Sequence, residues 1–306
     1  VLGVLTTDPR KVKNAQLMPT LTCNEMLELA SLGAAVLHPR AVELARNYGV
    51  KLKVRSSWTE DPGTTLTSEN KRCIGREGLE LGRPVDGLEL LEKQAVLGLS
   101  HIPDRPGVAA DLFEKLSNEG VNVDLIIQAT HKGNSNDITF TVDEKELTKA
   151  REICEQVLKN LGGELVAQSG MTKLSISGIG IMGRPGIAAT LFDTLSRKGI
   201  NLRLIATSEV KVSCVIDASF GTKGLRAISE AFELDESQIK INPVLNGLGE
   251  PEVRGVALDS DQAQVSVRGV PDKPGTAAAL CSALGDAGIT LDTIVQSERQ
   301  QEDGSK

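Results

Sequence analysis

Three stretches of the chain place a Pro-Gly pair between an alternating apolar run and a helix-period run. They read Asp104-Arg105-Pro106-Gly107-Val108-Ala109-Ala110, Gly183-Arg184-Pro185-Gly186-Ile187-Ala188-Ala189 and Asp272-Lys273-Pro274-Gly275-Thr276-Ala277-Ala278. At such a corner the first backbone N–H groups of the helix have no intrahelical acceptor, so they suit a carboxylate. A ligand that also carries an ammonium group needs acceptors close by. Asp104, Asn122, Asp124 and Gln128 supply them from the loop and the strand that follows. The plainer reading makes Pro-Gly a helix start only, with Asp124 and Gln128 solvated or paired across a sheet. Asp and Gln recur at the same offset as Asp292 and Gln296, which favours binding. The middle copy lacks both, so the copies are expected to be unequal, some binding and some structural. A fourth stretch, Leu5-Thr6-Thr7-Asp8-Pro9-Arg10, sets hydroxyls and a guanidinium that suit phosphate and ribose oxygens. Thr-Asp-Pro is equally ordinary turn chemistry.

The elements around the corners repeat. Before them run Ala95 to Ile102, Thr172 to Ile179 and Gln262 to Val270. After them Val108, Ala109, Leu112, Phe113 and Leu116 share one helical face that stops at Gly120. Ile187, Ala188, Leu191, Phe192 and Leu195 do the same before Gly199, and Ala277, Ala278, Leu280 and Leu284 before Gly288. A strand then follows each stop. In the first two copies a further strand (Asp137 to Val142, Val210 to Asp217) and a second helix follow. The order strand-helix-strand-strand-helix-strand is the ferredoxin-like plan, an antiparallel sheet with helices on one face. An ungapped shift lays Val85–Gln128 on Val253–Gln296, matching Gly87 with Gly255, Pro103-Asp104 with Pro271-Asp272 and Asp124 with Asp292. Copies one and three therefore resemble each other more than either resembles copy two. The duplicated unit is a pair, with a fourth copy expected beyond Lys306. Upstream, Asn24 to Tyr48 reads as a helix interrupted near His38-Pro39, Val50 to Val54 as a strand, and Gly75 to Pro84 as a linker.

Composition narrows the function classes. The 306 residues are 40% hydrophobic, 25% charged and 2% aromatic, with a net charge of -7. That mixture fits two to four soluble domains with aliphatic cores. The negative balance argues against nucleic acid, and no run is long enough to cross a membrane. Cys23, Cys73, Cys154, Cys214 and Cys281 are scattered and form no CxxC pair, so reduced core thiols in the cytoplasm are expected and a metal site is not. His38 is read as a cap or packing residue and His131 as part of a hairpin tip. The first residue is Val, and both ends are expected to be cut.

The N-terminal stretch resembles the end of the catalytic domain of aspartate kinases. The matching residues are Gly3-Val4-Leu5-Thr6-Thr7-Asp8-Pro9-Arg10, Glu25-Met26-Leu27-Glu28-Leu29-Ala30, Val36-Leu37-His38-Pro39-Arg40 and Val54-Arg55-Ser56-Ser57 with Asp61-Pro62-Gly63-Thr64. The copies resemble the ACT domains of that family, and their paired duplication resembles its four-ACT cyanobacterial form. The implied fold is α/β and α+β: the C-terminal portion of an amino-acid-kinase domain over 1–68, a linker over 69–91, then tandem βαββαβ ACT domains over 92–168 and 169–250 and a partial one over 251–306.

The resemblance implies phosphorylation of the aspartate β-carboxylate by ATP with Mg²⁺ in the full-length enzyme, with feedback by lysine, threonine or both. It makes Leu5 to Arg10 the nucleotide-contacting loop; Ala35 departs from it, standing where many members carry Lys. It assigns effector contacts to Asp104, Pro106, Gly107, Val108, Ala109, Asn122, Val123, Asp124 and Gln128 in copy one. In copy two it assigns Met182, Arg184, Ile187, Asn201, Leu202 and Thr207. In copy three it assigns Asp272, Thr290, Leu291, Asp292 and Gln296. The family's Lys-Phe-Gly-Gly-type motif is absent, so these 306 residues alone are expected to be inactive. Homodimers or larger homo-oligomers through the ACT domains are expected. A non-catalytic amino-acid-sensing protein is the alternative.

Overall fold

A computed structural model describes residues 2–31, 36–68, 84–131, 135–178, 181, 184–208, 210–243, 253–258, 263–267, 269–289, 291 and 293–296. The chain divides into two compact units. One gathers Val1–Pro84, Gly178–Gly183 and Val244–Arg268, the other Val85–Ser177, Arg184–Pro243 and Gly269–Lys306.

In the first unit, β1 (Thr20–Thr22), β3 (Thr64–Thr67) and β2 (Leu52–Val54) form a sheet in the order β1-β3-β2, β1 parallel to β3 and β2 antiparallel to it. Helix α1 (Cys23–Ser31) opens on a reciprocal cap. Glu25 Oε2 accepts from Thr22 N at 2.7 Å, and Thr22 Oγ1 accepts from Glu25 N at 3.2 Å. Helix α2 (Pro39–Tyr48) starts with Pro, tolerated at a first turn, and its cap is His38, whose Nδ1 accepts from Arg40 N at 3.2 Å. The capping role read for His38 is thus the one the structure shows. Met26, Leu27, Val42 and Leu66 are the core, and the buried Thr64 hydroxyl ties Val4 N to Met18 O.

The second unit is built on two long strands, β4 (Gly87–Pro103) and β7 (Glu164–Ser177), paired antiparallel along both their lengths. Between them lie α3 (Val108–Asn118), β5 (Val123–His131), β6 (Ser135–Asp143) and α4 (Leu147–Leu161). After them come α5 (Ile187–Arg197), β8 (Leu204–Ser208), β9 (Lys211–Asp217), α6 (Gly221–Ala231) and β10 (Ile239–Ile241), then α7 (Thr276–Asp286) and β11 (Val295–Gln296). The sheet order is β11-β8-β9-β7-β4-β6-β5, with β10 parallel to the first residues of β4. The second half of β4, with β5, β6 and the first half of β7, makes copy one. The second half of β7, with β8 and β9, makes copy two, and its fourth strand position is filled by Gly87–Leu91.

Several expectations are corrected here. Gly87 to Leu91, placed in the linker, are the start of β4: Leu88 and Leu90 are buried, and an irregularity in the pairing with β7 between Leu91 and Val96 resets the alternation for the rest of the strand. Of the rest of the linker read from the sequence, 69–83 lie outside the described residues. Among the described residues, 263–267 carry no strand, although the alternation there matches that of copy one. Val265 is 82% exposed, so no sheet face is available to reward the pattern. Leu280, assigned to the buried face of α7, is 41% exposed; Ala278 and Cys281 make that face.

Copy one's core joins β4 and β6 to both helices through Leu97, Leu99, Leu112, Leu116, Phe140 and Val157, with Leu165 and Ala167 of β7 packed against it. Phe113 and Phe140 meet edge to face at 5.6 Å. Helix α6 approaches the sheet closely at Gly224, where a Cβ would lie 2.8 Å from Leu174 Cδ1. A smaller cluster, Ile127, Met171, Leu204 and Val215, joins β5 of copy one to β8 and β9 of copy two. Cys23, Cys154, Cys214 and Cys281 are buried and free. Burial pushes the thiols of Cys154 and Cys214 up to about 12 and that of Cys281 to about 11, so they remain protonated. Cys73 and Ala35 lie outside the described residues.

Candidate functional site

In the first unit, Leu5 bridges to Leu17 and Thr6 is fixed twice more by residue 16: Thr6 N donates to Gln16 O at 2.9 Å, and Gln16 N donates to Thr6 Oγ1 at 3.0 Å. A turn follows in which Lys11 N and Val12 N donate to Asp8 O. Arg10 Nε and Nη2 grip the Asp8 carboxylate at 3.0 Å each, and Arg10 N donates to Asp8 Oδ1 at 2.9 Å. The Arg10 hydrogen bond holds the Asp8 carboxyl below its usual value. Arg10 itself is 88% exposed. The plainer reading of Leu5 to Arg10 is the one the bonds describe: Asp8 to Lys11 make a turn, and the turn presents the Arg10 guanidinium outward. Burial raises the Glu25 carboxyl, but bonds from Thr22 and Arg254 outweigh that and leave it below its usual value.

In the second unit, the corners of copies two and three come together. Each packs against the last turn of the other's helix at an equivalent position. A Cβ on Gly285 of α7 would lie 3.3 Å from Gly186 N, and one on Gly275 would lie 2.9 Å from Ser196 Oγ of α5. The strands follow the same two-fold logic, β11 pairing antiparallel with β8, Val295 opposite Ala206 and Gln296 opposite Ile205. Asn201 Nδ2 donates to Asp272 Oδ1 at 2.7 Å across this junction, and Ile294 N donates to Thr207 Oγ1 at 2.7 Å. Between the helices lies a groove lined by Pro185, Gly186, Asp193, Arg197, Ser282 and Asp286. Of the residues assigned by sequence, Asn201 and Asp272 therefore meet, Thr207 and Gln296 lie on the paired strands β8 and β11, and Ile187 starts α5. Leu202 is buried at 8%, and Met182 and Asp292 lie outside the described residues.

Copy one is arranged differently. Gly107 takes the left-handed conformation (φ 95°) that opens α3, as Gly186 and Gly275 do for their helices. Asp104 Oδ1 accepts from Asn136 Nδ2 at 2.7 Å. Asn136 is 4% exposed, and its Oδ1 has no hydrogen-bond partner among the described residues. Asp124 is bonded to Lys173 Nζ and accepts from Leu125 N at 2.8 Å. Val108 and Ala109 pack into the core, Val123 packs against it, and Asn122 and Gln128 are exposed. Asn136 and Lys173 were not singled out from the sequence. They are 32 and 49 residues from their partners, and no local pattern marks them.

Known proteins agree with this organisation. Residues 1–56 match the amino acid kinase family, and 100–158, 174–232 and 263–305 match ACT domains. An aspartokinase of Thermus thermophilus is 40% identical over 237 residues, 77% of this chain and 56% of that protein. One of Pseudomonas aeruginosa is 40% identical over 235 residues, 76% and 56%. The chain thus spans about half the length of the curated relatives it matches. The crystal structure of aspartate kinase from Synechocystis superposes with a TM-score of 0.89 at 48% identity, covering 100% of this chain and 52% of that one. Taken with the kinase-like first unit and the repeated ferredoxin-like sheets, these matches show that the chain belongs to the aspartate kinase family, as a kinase-domain segment followed by ACT domains.

Proposed function

We propose that this chain is the nucleotide-loop and regulatory portion of an enzyme that transfers the γ-phosphoryl group of ATP to the β-carboxylate of aspartate. In that reading Leu5 to Arg10 line the nucleotide. Arg10 fits the role: it is exposed, and its only described bonds are to Asp8, so it can turn to a phosphate oxygen. Mg²⁺ bound with ATP would neutralise phosphate charge. Among the described residues no cluster of three His, Cys, Asp or Glu could hold an ion, so no residue of this chain is given that task. Residues 1–306 by themselves are expected to form no aspartyl phosphate in an ATP-coupled assay.

The regulatory ligand is lysine, threonine or both, held where copies two and three meet. The observation that carries this is the Asn201–Asp272 hydrogen bond beside two opposed helix corners. Asp272 offers an acceptor to an ammonium, and the corner amides offer donors to a carboxylate. In sequence the equivalents of Asn201 and Asp272 in the other copy are Thr290 and Gly183, which carry no acid. The junction is thus one-sided. Its ligand would favour one arrangement of the two copies and shift their population. Calorimetry of the chain with lysine, threonine and both tests this. Heat with neither rules it out. The outer edge of β5 is proposed to pair with a further ACT domain in a homodimer or larger assembly.

A further inference from the structure

The internal repeat gives Val253–Leu258 a counterpart, Val85–Leu90. The counterpart lies in the second unit's sheet from Gly87 onward, with Leu88 and Leu90 0% and 2% exposed. Val253–Leu258 does something else. It lies in the first unit with the matching residues, Val256 and Leu258, 63% and 67% exposed. Its contacts there are polar. Val256 N donates to Thr6 O at 2.8 Å. Arg254 Nη1 donates to Glu25 Oε1 at 2.9 Å, and Nη2 to Thr20 O at 2.6 Å. Gly255 passes so close that a Cβ would lie 3.2 Å from Thr6 O and 3.3 Å from Leu29 Cδ2. Val85 and Gly87 are kept as Val253 and Gly255, but Asp86 is replaced by Arg254. The repeat therefore differs in charge at the position that meets Glu25.

We propose that Val253–Leu258 is a detachable strap on the nucleotide loop, with Arg254 as the positioning residue that holds it. The inference rests on the reading of Leu5 to Arg10 as that loop. Thr6 is clamped between Gln16 and the strap. With its N, Oγ1 and O all engaged, the direction in which Thr7 to Arg10 leave it is fixed. The strap's apolar side chains stay in water, so little hydrophobic burial opposes its release. In sequence the strap leads directly to the copy-three corner, which gives a covalent route from a regulatory ligand to the loop.

The test is steady-state kinetics of the complete enzyme. Arg254→Ala is expected to raise KM for ATP about tenfold, the loss of one charge-assisted pair, with KM for aspartate and Tm unchanged. Arg254→Lys should recover part of the loss. Gly255→Val, which crowds the strap off Thr6 without altering charge, should give the same signature. Arg10→Ala tests the loop itself. If it raises KM for ATP while Arg254→Ala and Gly255→Val do not, the strap is refuted and the loop reading stands. If Arg10→Ala has no effect either, both fall. A fall in Tm with equal loss for both substrates, not relieved by Lys, would make Arg254 merely structural and also overturn the proposal.

Discussion

Copies one and two are built on the same plan, yet their second strands have different fates. β8 of copy two is covered by β11, and α5 beside it is covered by α7. β5 of copy one is the last strand of its sheet, and among the described residues no strand pairs with its outer edge. The consequences reach the candidate binding residues. In copy two the second residue after the helix stop, Asn201, bonds to an acid of another copy. In copy one the two acids are used internally, Asp104 by Asn136 and Asp124 by Lys173. A corner motif is thus only half of a junction. The partner copy decides whether its polar groups bond across the junction or within their own copy.

The comparison can be broken most forcefully through the cores. Leu116 and Leu195 occupy equivalent helix positions and are both 0% exposed. Truncation of either to Ala should cost about 2–5 kcal/mol. Because β4 and β7 run through both copies, either change should lower the same unfolding transition. Two separate transitions in denaturant melts would deny the shared sheet. Next comes ligand affinity. Asp272→Ala should weaken lysine or threonine binding about tenfold or more by calorimetry, and Asp104→Ala should weaken it less. Equal effects would erase the distinction between covered and open junctions. A third test addresses the edge. Ile126 of β5 is 54% exposed, and Ile126→Lys should reduce self-association in sedimentation while stability moves by less than about 0.5 kcal/mol. The smallest effect is expected at Gly285. Ala there gains helix propensity but crowds Gly186, so stability should shift by under about 1 kcal/mol while affinity falls. Ser117→Ala, at the equivalent exposed position of copy one, should be silent in both assays.

Much of the fold was legible because it is local. The helical stripe ending at Gly120, the corner glycine at 107 and the hairpin pairing His131 with Ser135 follow from spacing within a dozen residues. The candidate loop was legible for a similar reason, since Asp8 and Arg10 are two residues apart. Other assignments read only in part. Val108 and Ala109 follow the corner in sequence, but their side chains belong to the core, since the periodicity that makes the helix also aims them inward.

From the sequence alone came the repeat, its pairing into units and the family likeness. These depend on identities at fixed offsets, which survive without coordinates. Only the tertiary structure decided that Gly87–Leu91 complete copy two's sheet beside β10, some 150 residues on. It also decided that Asp124 answers to Lys173 and that Asp272 meets Asn201. The physical reason is that a strand or a carboxylate states its need for a partner in its own residues. Which distant group fills that need depends on how the chain closes, and several groups of suitable chemistry compete until it does.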